Sequence, residues 1–198
     1  MAKNTQPVLK RCRTLGVSPA VMGYSKTSNK NPGGQRRAKK SEYALQLTEK
    51  QKVKFVYGIL EKQFRMYYEK AARAEGNTGE VLLSLIERRL DNVIYRLGFA
   101  ATRREARQLV NHGHYTVNGK SVNIPSYLVE VGDVIAVSEK SSSNNRFKKM
   151  KEDDAFVAAP KWLDRDKNTL TGKVIALPAR DDIDFEIAEN LIVELYSK

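Results

Sequence analysis

The chain has 198 residues and a formal net charge of +12, with 41% apolar and 29% charged residues. This balance is typical of a soluble globular protein with one or two domains and a hydrophobic core. No apolar run approaches the roughly 20 residues of a membrane span, and we expect no secretory signal, because the first residues lack an apolar core. The single cysteine, Cys12, excludes an internal disulfide and indicates a reducing compartment.

The surplus of positive charge is concentrated in the first forty residues. Residues 1–40 contain ten Lys or Arg and no Asp or Glu, whereas the rest of the chain has 25 basic and 23 acidic residues. The segment shows no helical stripe of apolar residues. We therefore predict a basic extended tail that orders on a polyanion, which explains the asymmetry better than a merely solvated tail. Its candidate contacts to such a polyanion are Lys10, Arg11, Arg13, Gln35, Arg36, Arg37, Lys39 and Lys40.

Residues 48–76 carry an apolar stripe at helical spacing, which predicts one long amphipathic helix. Thr48 and Gln51 fit a capping box at its start, and Gly76 is a typical stop signal. Its tyrosines are interpreted first as core residues and only second as platforms for stacking bases.

Residues 77–98 show a second helical stripe of Leu, Ile and Val. Asn77 and Glu80 form a second candidate capping box, and Gly98 is the expected stop. Three arginines of this segment lie off its apolar face, at positions Arg88, Arg89 and Arg96.

A third, shorter helix is predicted between Thr102, which forms a capping box with Glu105, and Gly113. One arc of this helix, roughly 100° wide, carries cations without acids, although a solvated helix face normally mixes the two signs. We interpret it as a platform for phosphates, with a merely solvent-facing helix as the alternative. The candidate contacts on and after the helix are Arg103, Arg104, Arg107, Asn111, His112 and His114.

Asn118-Gly119 is a strong signal for a two-residue hairpin turn. This turn pairs Tyr115 with Val122 and Val117 with Lys120, and it predicts a buried face formed by Tyr115, Val117, Val122 and Ile124. Residues 138–154 are interpreted as a polar, mobile linker with its own basic cluster. The last apolar run, "NLIVELY", is expected to dock on the core as a strand or helix.

No catalytic constellation emerges from the sequence, so we expect that the chain is not an enzyme. His112 and His114 lack a cysteine or carboxylate at metal-ligand spacing, and they are interpreted as contacts to phosphate or base. No phosphate-binding glycine loop and no dinucleotide fingerprint is present. We predict no metal and no other cofactor, and no small-molecule substrate.

Residues 85–142 resemble the RNA-binding domain named after ribosomal protein S4. The motifs that carry the resemblance are R-L-D-N, A-R-Q-L-V, V-N-G and I-P-S-Y, all of which occur in this segment. That domain also occurs in pseudouridine synthases and tyrosyl-tRNA synthetases. The flanks, "SEYALQLTEKQKVKFVYGILEKQFRMYYEKAAR", "LIVELYSK" and "GGQRR", are similar to the small-subunit ribosomal protein S4 family itself.

The resemblance implies an α+β fold, in which a helical domain receives an inserted RNA-binding domain of two helices followed by a small antiparallel sheet. The expected divisions are a basic extension at 1–40, a helical domain at 41–84 completed by 152–198, the RNA-binding domain at 85–142, and a segment at 143–198. This last segment is expected to be a linker followed by a C-terminal part that packs back on the helical domain. Many relatives hold zinc with an N-terminal cysteine cluster, whereas this chain has only Cys12, so no zinc is expected.

The same resemblance implies a primary binder of small-subunit ribosomal RNA that clamps a multi-helix junction in the 5′ domain and nucleates assembly. It implies a place at the mRNA entry region, beside ribosomal protein S5, and a contribution to translational accuracy. The RNA contacts that the resemblance implies lie in three places. They are Arg36, Arg37, Lys39 and Lys40 in the basic extension, Tyr43, Lys50, Gln51 and Lys52 at the start of the long helix, and Arg103, Arg104, Arg107, His112, His114 and Lys120 in the inserted domain.

Two other functions stay open from the sequence. One is an RNA-modifying or tRNA-charging enzyme that uses this domain as its RNA handle, and the other is a repressor that binds its own messenger RNA. The expected location is the cytoplasmic ribosome, with an organellar ribosome as the alternative. No membrane partner is expected.

Overall fold

A computed structural model describes residues 7–26, 41–152, 159–166 and 168–197, with backbone only for 151 and 152. The described residues fall into two compact units, one drawn from Met1–Leu82 with Ile183–Lys198 and the other from Leu83–Asp182. The helices are α1 Val8–Leu15, α2 Glu42–Tyr57, α3 Glu61–Arg73, α4 Thr78–Glu87, α5 Leu90–Arg96, α6 Arg103–Asn111, α7 Glu139–Ser142, α8 Asn145–Glu152 and α9 Glu189–Ser197. The strands are β1 Tyr115–Val117, β2 Lys120–Ser121, β3 Val134–Val137, β4 Leu163–Asp166 and β5 Thr171–Val174, and short 3-10 helices cover Pro19–Met22 and Arg180–Asp182.

Part of the N-terminal segment is folded, which corrects the expectation of an extended tail without helical pattern. Helix α1 buries Cys12 and Leu15 on one side. The following 3-10 turn buries Met22, whose Sδ lies 3.9 Å from the Sγ of Cys12. These apolar residues were too sparse among the basic ones to stand out in the sequence. Once buried together, however, they stabilise a helical turn between the exposed cations.

The predicted long helix at 48–76 is two helices, because the chain breaks after α2. Gly58 adopts a left-handed conformation, with φ of 65°, which favours glycine and ends the helix. Helix α2 begins earlier than predicted, at Ser41, whose hydroxyl accepts a bond from the backbone NH of Ala44 at 3.3 Å. Thr48 is therefore not a cap, and its hydroxyl bonds to the carbonyl of Ala44 inside the helix.

The predicted helix at 77–98 is also divided, into α4 and α5, at Arg88 and Arg89. The cause is a loop that is distant in sequence. The backbone NH groups of Leu90 and Asp91 donate to the carbonyls of Tyr127 and Pro125, at 2.8 Å and 3.2 Å, instead of to the preceding turn. These bonds fix the loop after the hairpin against the start of α5.

In the first unit, the C-terminal helix α9 packs along α2, as the docked C-terminal segment was expected to do. The amide Nε2 of the buried Gln46 donates to Glu194 Oε2 at 3.0 Å. The rings of Tyr57 and Phe185 lie 6.0 Å apart. The first and last parts of this unit are thus joined by both polar and aromatic contacts.

The second unit contains a five-stranded sheet in the order β2-β1-β3-β5-β4, in which every neighbouring pair is antiparallel. The predicted hairpin is confirmed, because Val117 pairs with Lys120 and the NH of Val122 bonds to the carbonyl of Tyr115 at 3.3 Å. The predicted burial of Ile124 is wrong. Its side chain is 55% exposed, because β2 ends at Ser121 and the chain leaves the sheet.

The segment after the RNA-binding domain differs from the expected linker. Residues 139–152 are largely helical, and α8 places Phe147 fully inside the core of the second unit. Strand β5 pairs with β3, with Ile135 opposite Gly172. The sequence expectation assigned residues 152–198, which contain β4 and β5, to the helical domain. Instead, Trp162 and Val174 are buried with the core residues of α5, α6 and β1, because that core offers them the apolar surface they need.

Candidate nucleic-acid interface

Asp91 of α5 forms ion pairs with Arg89 and with Arg107 of α6, and its carboxylate is buried. Its two carboxylate oxygens accept from Arg89, with Nε–Oδ1 at 3.1 Å and Nη2–Oδ2 at 2.7 Å. Oδ2 also accepts from Arg107 Nη1 at 3.0 Å, and Oδ1 accepts from the backbone NH of Asn92 at 3.0 Å. One carboxylate therefore fixes an arginine of its own turn and an arginine of α6.

A second branch of the same network is built around Glu87, which is buried at the end of α4. The guanidinium of Arg96 donates two hydrogen bonds to this carboxylate, Nη2–Oε1 at 2.7 Å and Nε–Oε2 at 3.1 Å. The amide of Asn92 donates to Glu87 Oε2 at 2.6 Å and accepts from Arg103 Nε at 2.9 Å. The guanidinium of Arg103 also stacks on the ring of Tyr95, 4.3 Å from its centroid.

The two branches together contain four guanidinium groups and two carboxylates. Within these six charged side chains, two positive charges are in excess, and α6 carries two of the four arginines, Arg103 and Arg107. The sequence showed only that Arg89 and Arg96 lie off the apolar stripe of their helix, and it gave no sign that they are buried. The structure makes both of them buried supports of the α6 surface.

The predicted phosphate platform on α6 divides into an inner and an outer part. Arg103 is only 6% exposed and is engaged by Asn92 and Tyr95, so its burial disfavours the direct phosphate contact, which stays a prediction. Arg107 and Asn111 are half-buried, whereas Arg104 is exposed. At the start of α6 the Thr102 hydroxyl accepts from the NH of Glu105 at 3.2 Å, which confirms Thr102 as the cap. The Glu105 carboxylate accepts from the NH of Ala101 at 2.7 Å, one residue before the position that a capping box requires.

The two histidines lie together at the start of the sheet, but only one of them is exposed. The rings of His112 and His114 are 6.0 Å apart. His114 Nδ1 is 2.9 Å from the Oγ of Ser141, and its ring meets Phe147 edge-on at 5.8 Å. Burial, with smaller effects from His112 and Arg146, lowers the pKa of His114 below its usual value, which favours a neutral ring at pH 7. His112 is exposed, and Lys120 is exposed at the hairpin turn, opposite Val117.

Helix α8 packs beside His114, and none of its residues was among the predicted sites. Its inner face buries Phe147, which also meets the ring of Tyr115 at 6.1 Å, and Met150 packs against the same core. Arg146 forms an ion pair with Glu105 of α6. Lys148 and Lys149 are exposed. The apolar spacing of Phe147 and Met150 was the sequence signal for this helix, but the surrounding polar residues concealed it.

Two predicted contacts of the first unit, Lys50 and Lys52, form internal ion pairs. Lys50 lies 3.0 Å from Glu61 Oε1 and above the ring of Tyr196, and Lys52 pairs with Glu49 at 2.8 Å. Their side chains are only 12% and 14% exposed. The other two predicted contacts of this helix differ from each other, because Gln51 is half-buried and Tyr43 is 60% exposed.

In the N-terminal helix α1, Lys10 and Arg13 are exposed and Arg11 is half-buried. Arg13 Nε is 3.4 Å from the carbonyl of Leu9, one turn earlier. The other predicted contacts of the extension fall outside the described residues, namely Gln35, Arg36, Arg37, Lys39 and Lys40.

Metal sites and membrane-spanning helices are both absent from the part of the chain that the structure describes. Within it, no group of three or more His, Cys, Asp or Glu side chains is placed to hold a metal ion. Across those same ranges, no helix combines the length and apolar character needed to cross a bilayer.

Comparison with known proteins gives matches along almost the whole chain. Residues 3–87 match the family described as "Ribosomal protein S4/S9 N-terminal domain", and residues 88–135 match the "S4 domain". The chain is 56% identical to small ribosomal subunit protein uS4 of Caldicellulosiruptor saccharolyticus and 52% identical to that of Fusobacterium nucleatum, with all of both chains covered in each case. The uS4 protein of Acetivibrio thermocellus is 56% identical over the same full coverage. These matches confirm the resemblance inferred from the motifs, and the chain belongs to the uS4 family of small ribosomal subunit proteins.

Proposed function

We propose that this chain is a structural, RNA-binding component of the small ribosomal subunit and that it is not an enzyme. The observation that carries the proposal is the full-length similarity, above 50% identity, to proteins named as small ribosomal subunit proteins. The excess of arginine over carboxylate in and beneath α6 supports it, because a polyanion is the partner that such a surface favours.

In finer detail, the RNA is a multi-helix junction in the 5′ domain of small-subunit ribosomal RNA, and binding nucleates assembly of the subunit. The protein then lies beside S5 and lines the mRNA entry region, where it contributes to translational accuracy. The family membership and the composition of residues 1–40, which contain ten Lys or Arg and no Asp or Glu, support this proposal.

Binding follows from the exposed cations, while the buried network holds them in place. Arg104 and Lys120 contact phosphates and displace counterions from them, and the exposed His112 contacts the same RNA backbone. Arg107 reaches the same backbone from a fixed position, because Asp91 holds its guanidinium. Shape rather than base sequence provides most of the selectivity, since the major groove of an RNA duplex is too narrow for side chains to read.

An enzyme that uses the S4 domain as a handle would need a catalytic domain besides it. Residues 136–198 lie outside the two family matches. The described part of that segment completes the sheet with β4 and β5 and packs α9 against α2. Repression of its own messenger RNA would use the same surface, so a messenger RNA competitor belongs in the binding test.

The test is a titration of the purified protein with a 5′-domain fragment of small-subunit ribosomal RNA and with an unrelated structured RNA, at several salt concentrations. We expect tight binding that prefers the fragment and weakens steeply with salt. The variant R104E/K120E should bind the fragment at least 10-fold more weakly, because two phosphate contacts become repulsive. Its control is E139Q/E130Q, which changes two exposed acids of the same unit. Equal affinity of the wild type for both RNAs would contradict the proposal.

A further inference from the structure

Helix α8 is a fixed part of the second unit and not a tether. Phe147 is fully buried, and its ring lies 5.8 Å from His114 and 6.1 Å from Tyr115. Met150, one turn later, packs against the same core. Because both anchors lie on one face of α8, the opposite face points away from the core.

The outer face of α8 carries cations and, among the side chains described for this helix, no large apolar residue. Lys148 and Lys149 are both exposed, and they flank the direction opposite to the Phe147–Met150 face. An interfacial membrane helix would need an apolar outer face, and the centre of a protein–protein interface would favour aromatic residues. A face built from lysines suits a polyanionic backbone better than either partner.

An ion pair between α8 and α6 also neutralises the carboxylate of α6. Glu105 is the only carboxylate in α6, and it is engaged by Arg146 of α8. The same pair places Arg146, near the start of α8, against the residue of α6 that follows the exposed Arg104. The cations of the two helices therefore form a basic surface in which the local carboxylate is already neutralised.

We propose that α8 is a second phosphate-contacting element, in which Lys148 and Lys149 bind the backbone of the RNA that α6 contacts. This inference rests on the proposed function, and it names residues outside the sites that the sequence suggested. The lysines contact phosphates as mobile point charges, so they add affinity and salt dependence rather than base recognition.

The experiment compares the full-length wild type with K148Q/K149Q in titrations of the 5′-domain RNA fragment between low and high salt. Loss of two phosphate contacts should reduce the slope of log K against log salt by about 2, and affinity near 0.1 M salt should fall roughly 10- to 100-fold. The matched control is K62Q/K70Q, which removes two exposed lysines of α3 in the other unit. We expect the control to keep a slope close to that of the wild type.

The outcomes separate this inference from the proposed function. Selective, salt-sensitive binding by the wild type together with an unchanged slope for K148Q/K149Q would overturn the role of α8 alone. An equal loss in K148Q/K149Q and in K62Q/K70Q would also overturn it, because the effect would then reflect total charge. If the wild type itself shows no preference for the fragment, the proposed function fails and α8 fails with it. Hydroxyl-radical footprinting gives an independent check, because K148Q/K149Q should lose protection of a discrete set of nucleotides.

Discussion

Arg89 and Asp91 form a two-pronged ion pair inside the second unit, with side chains that are 0% and 5% exposed. The pair belongs to the R-L-D-N motif, which lies where the chain breaks between α4 and α5. Oδ2 of the same carboxylate also accepts from Arg107 of α6 at 3.0 Å. The motif is therefore a structural device, because it couples the break in the helix to the arginine-bearing helix that follows.

Removal of the carboxylate should destabilise the unit strongly. In D91A, the guanidinium of Arg89 stays buried without its counterion, and breaking a buried pair in this way costs about 3–5 kcal/mol. Urea denaturation followed by circular dichroism measures the loss. The control is D164A on β4, where the aspartate is exposed and the expected change is within about 0.5 kcal/mol. Similar unfolding free energies for the two variants would show that the pair contributes little.

The neighbouring arginines Arg103 and Arg104 should separate stability from RNA binding. R103A leaves the buried amide oxygen of Asn92 without its donor, which costs about 1–3 kcal/mol of unfolding free energy. R104A removes an exposed side chain, so its stability should stay within about 0.5 kcal/mol of the wild type while its affinity for the 5′-domain fragment falls. Urea melts and RNA titrations of both variants provide the comparison. The reverse pattern would favour Arg103 over Arg104 as the phosphate contact.

Local signals in the sequence predicted several features correctly. The cap by Thr102 on the NH of Glu105 and the Asn118-Gly119 turn are both confirmed. Each depends on residues that are at most three positions apart, so the chemistry that forms the feature is contained in the local sequence. The α+β fold and the family were predictable for a related reason, since the motifs occur in the expected order along the chain.

Features that depend on distant partners were not predictable. The break before Leu90 arises from bonds to carbonyls of the loop after the hairpin, more than thirty residues away. Helical spacing placed Arg103 and Arg104 in one arc, but only Asn92 and Tyr95 determine that Arg103 lies inside. A helical wheel shows the direction of a side chain but not what packs against it.

Stability of the first unit should depend on pH through Glu61. Burial alone would raise its pKa, but hydrogen bonds from Lys54, Tyr196 and Lys50 outweigh this effect and lower the pKa from 4.5 to about 2. Because the folded protein holds the carboxylate charged more readily than the unfolded chain does, this stabilisation is present above pH 4.5. It is lost as the pH falls toward 2.

The measurement is a set of urea melts of the wild type and E61Q between pH 7 and pH 2. At pH 6 the wild type should be more stable by about 1 kcal/mol, a value reduced for solvent screening because the side chain is 48% exposed. The difference should disappear between pH 4.5 and 2. The control is E69Q, whose partner Arg65 is 70% exposed, and a small difference at every pH is expected. A difference between wild type and E61Q that grew on acidification would contradict the sign of the pKa shift.

Close packing between β5 and α5 should make Gly172 intolerant of a side chain. A Cβ at this position would lie 2.6 Å from Cδ2 and 3.1 Å from Cγ of Leu97, which is fully buried and has little room to move. G172A should therefore destabilise the protein by about 1–3 kcal/mol through overpacking. L97A alone should cost about 2–5 kcal/mol through the cavity that it leaves. In the double variant G172A/L97A the new methyl group partly fills that cavity, so the loss should be smaller than the sum of the single losses by about 1 kcal/mol or more. Urea melts of the three variants and the wild type complete the cycle, and additive losses would show that Gly172 and Leu97 do not pack as closely as described.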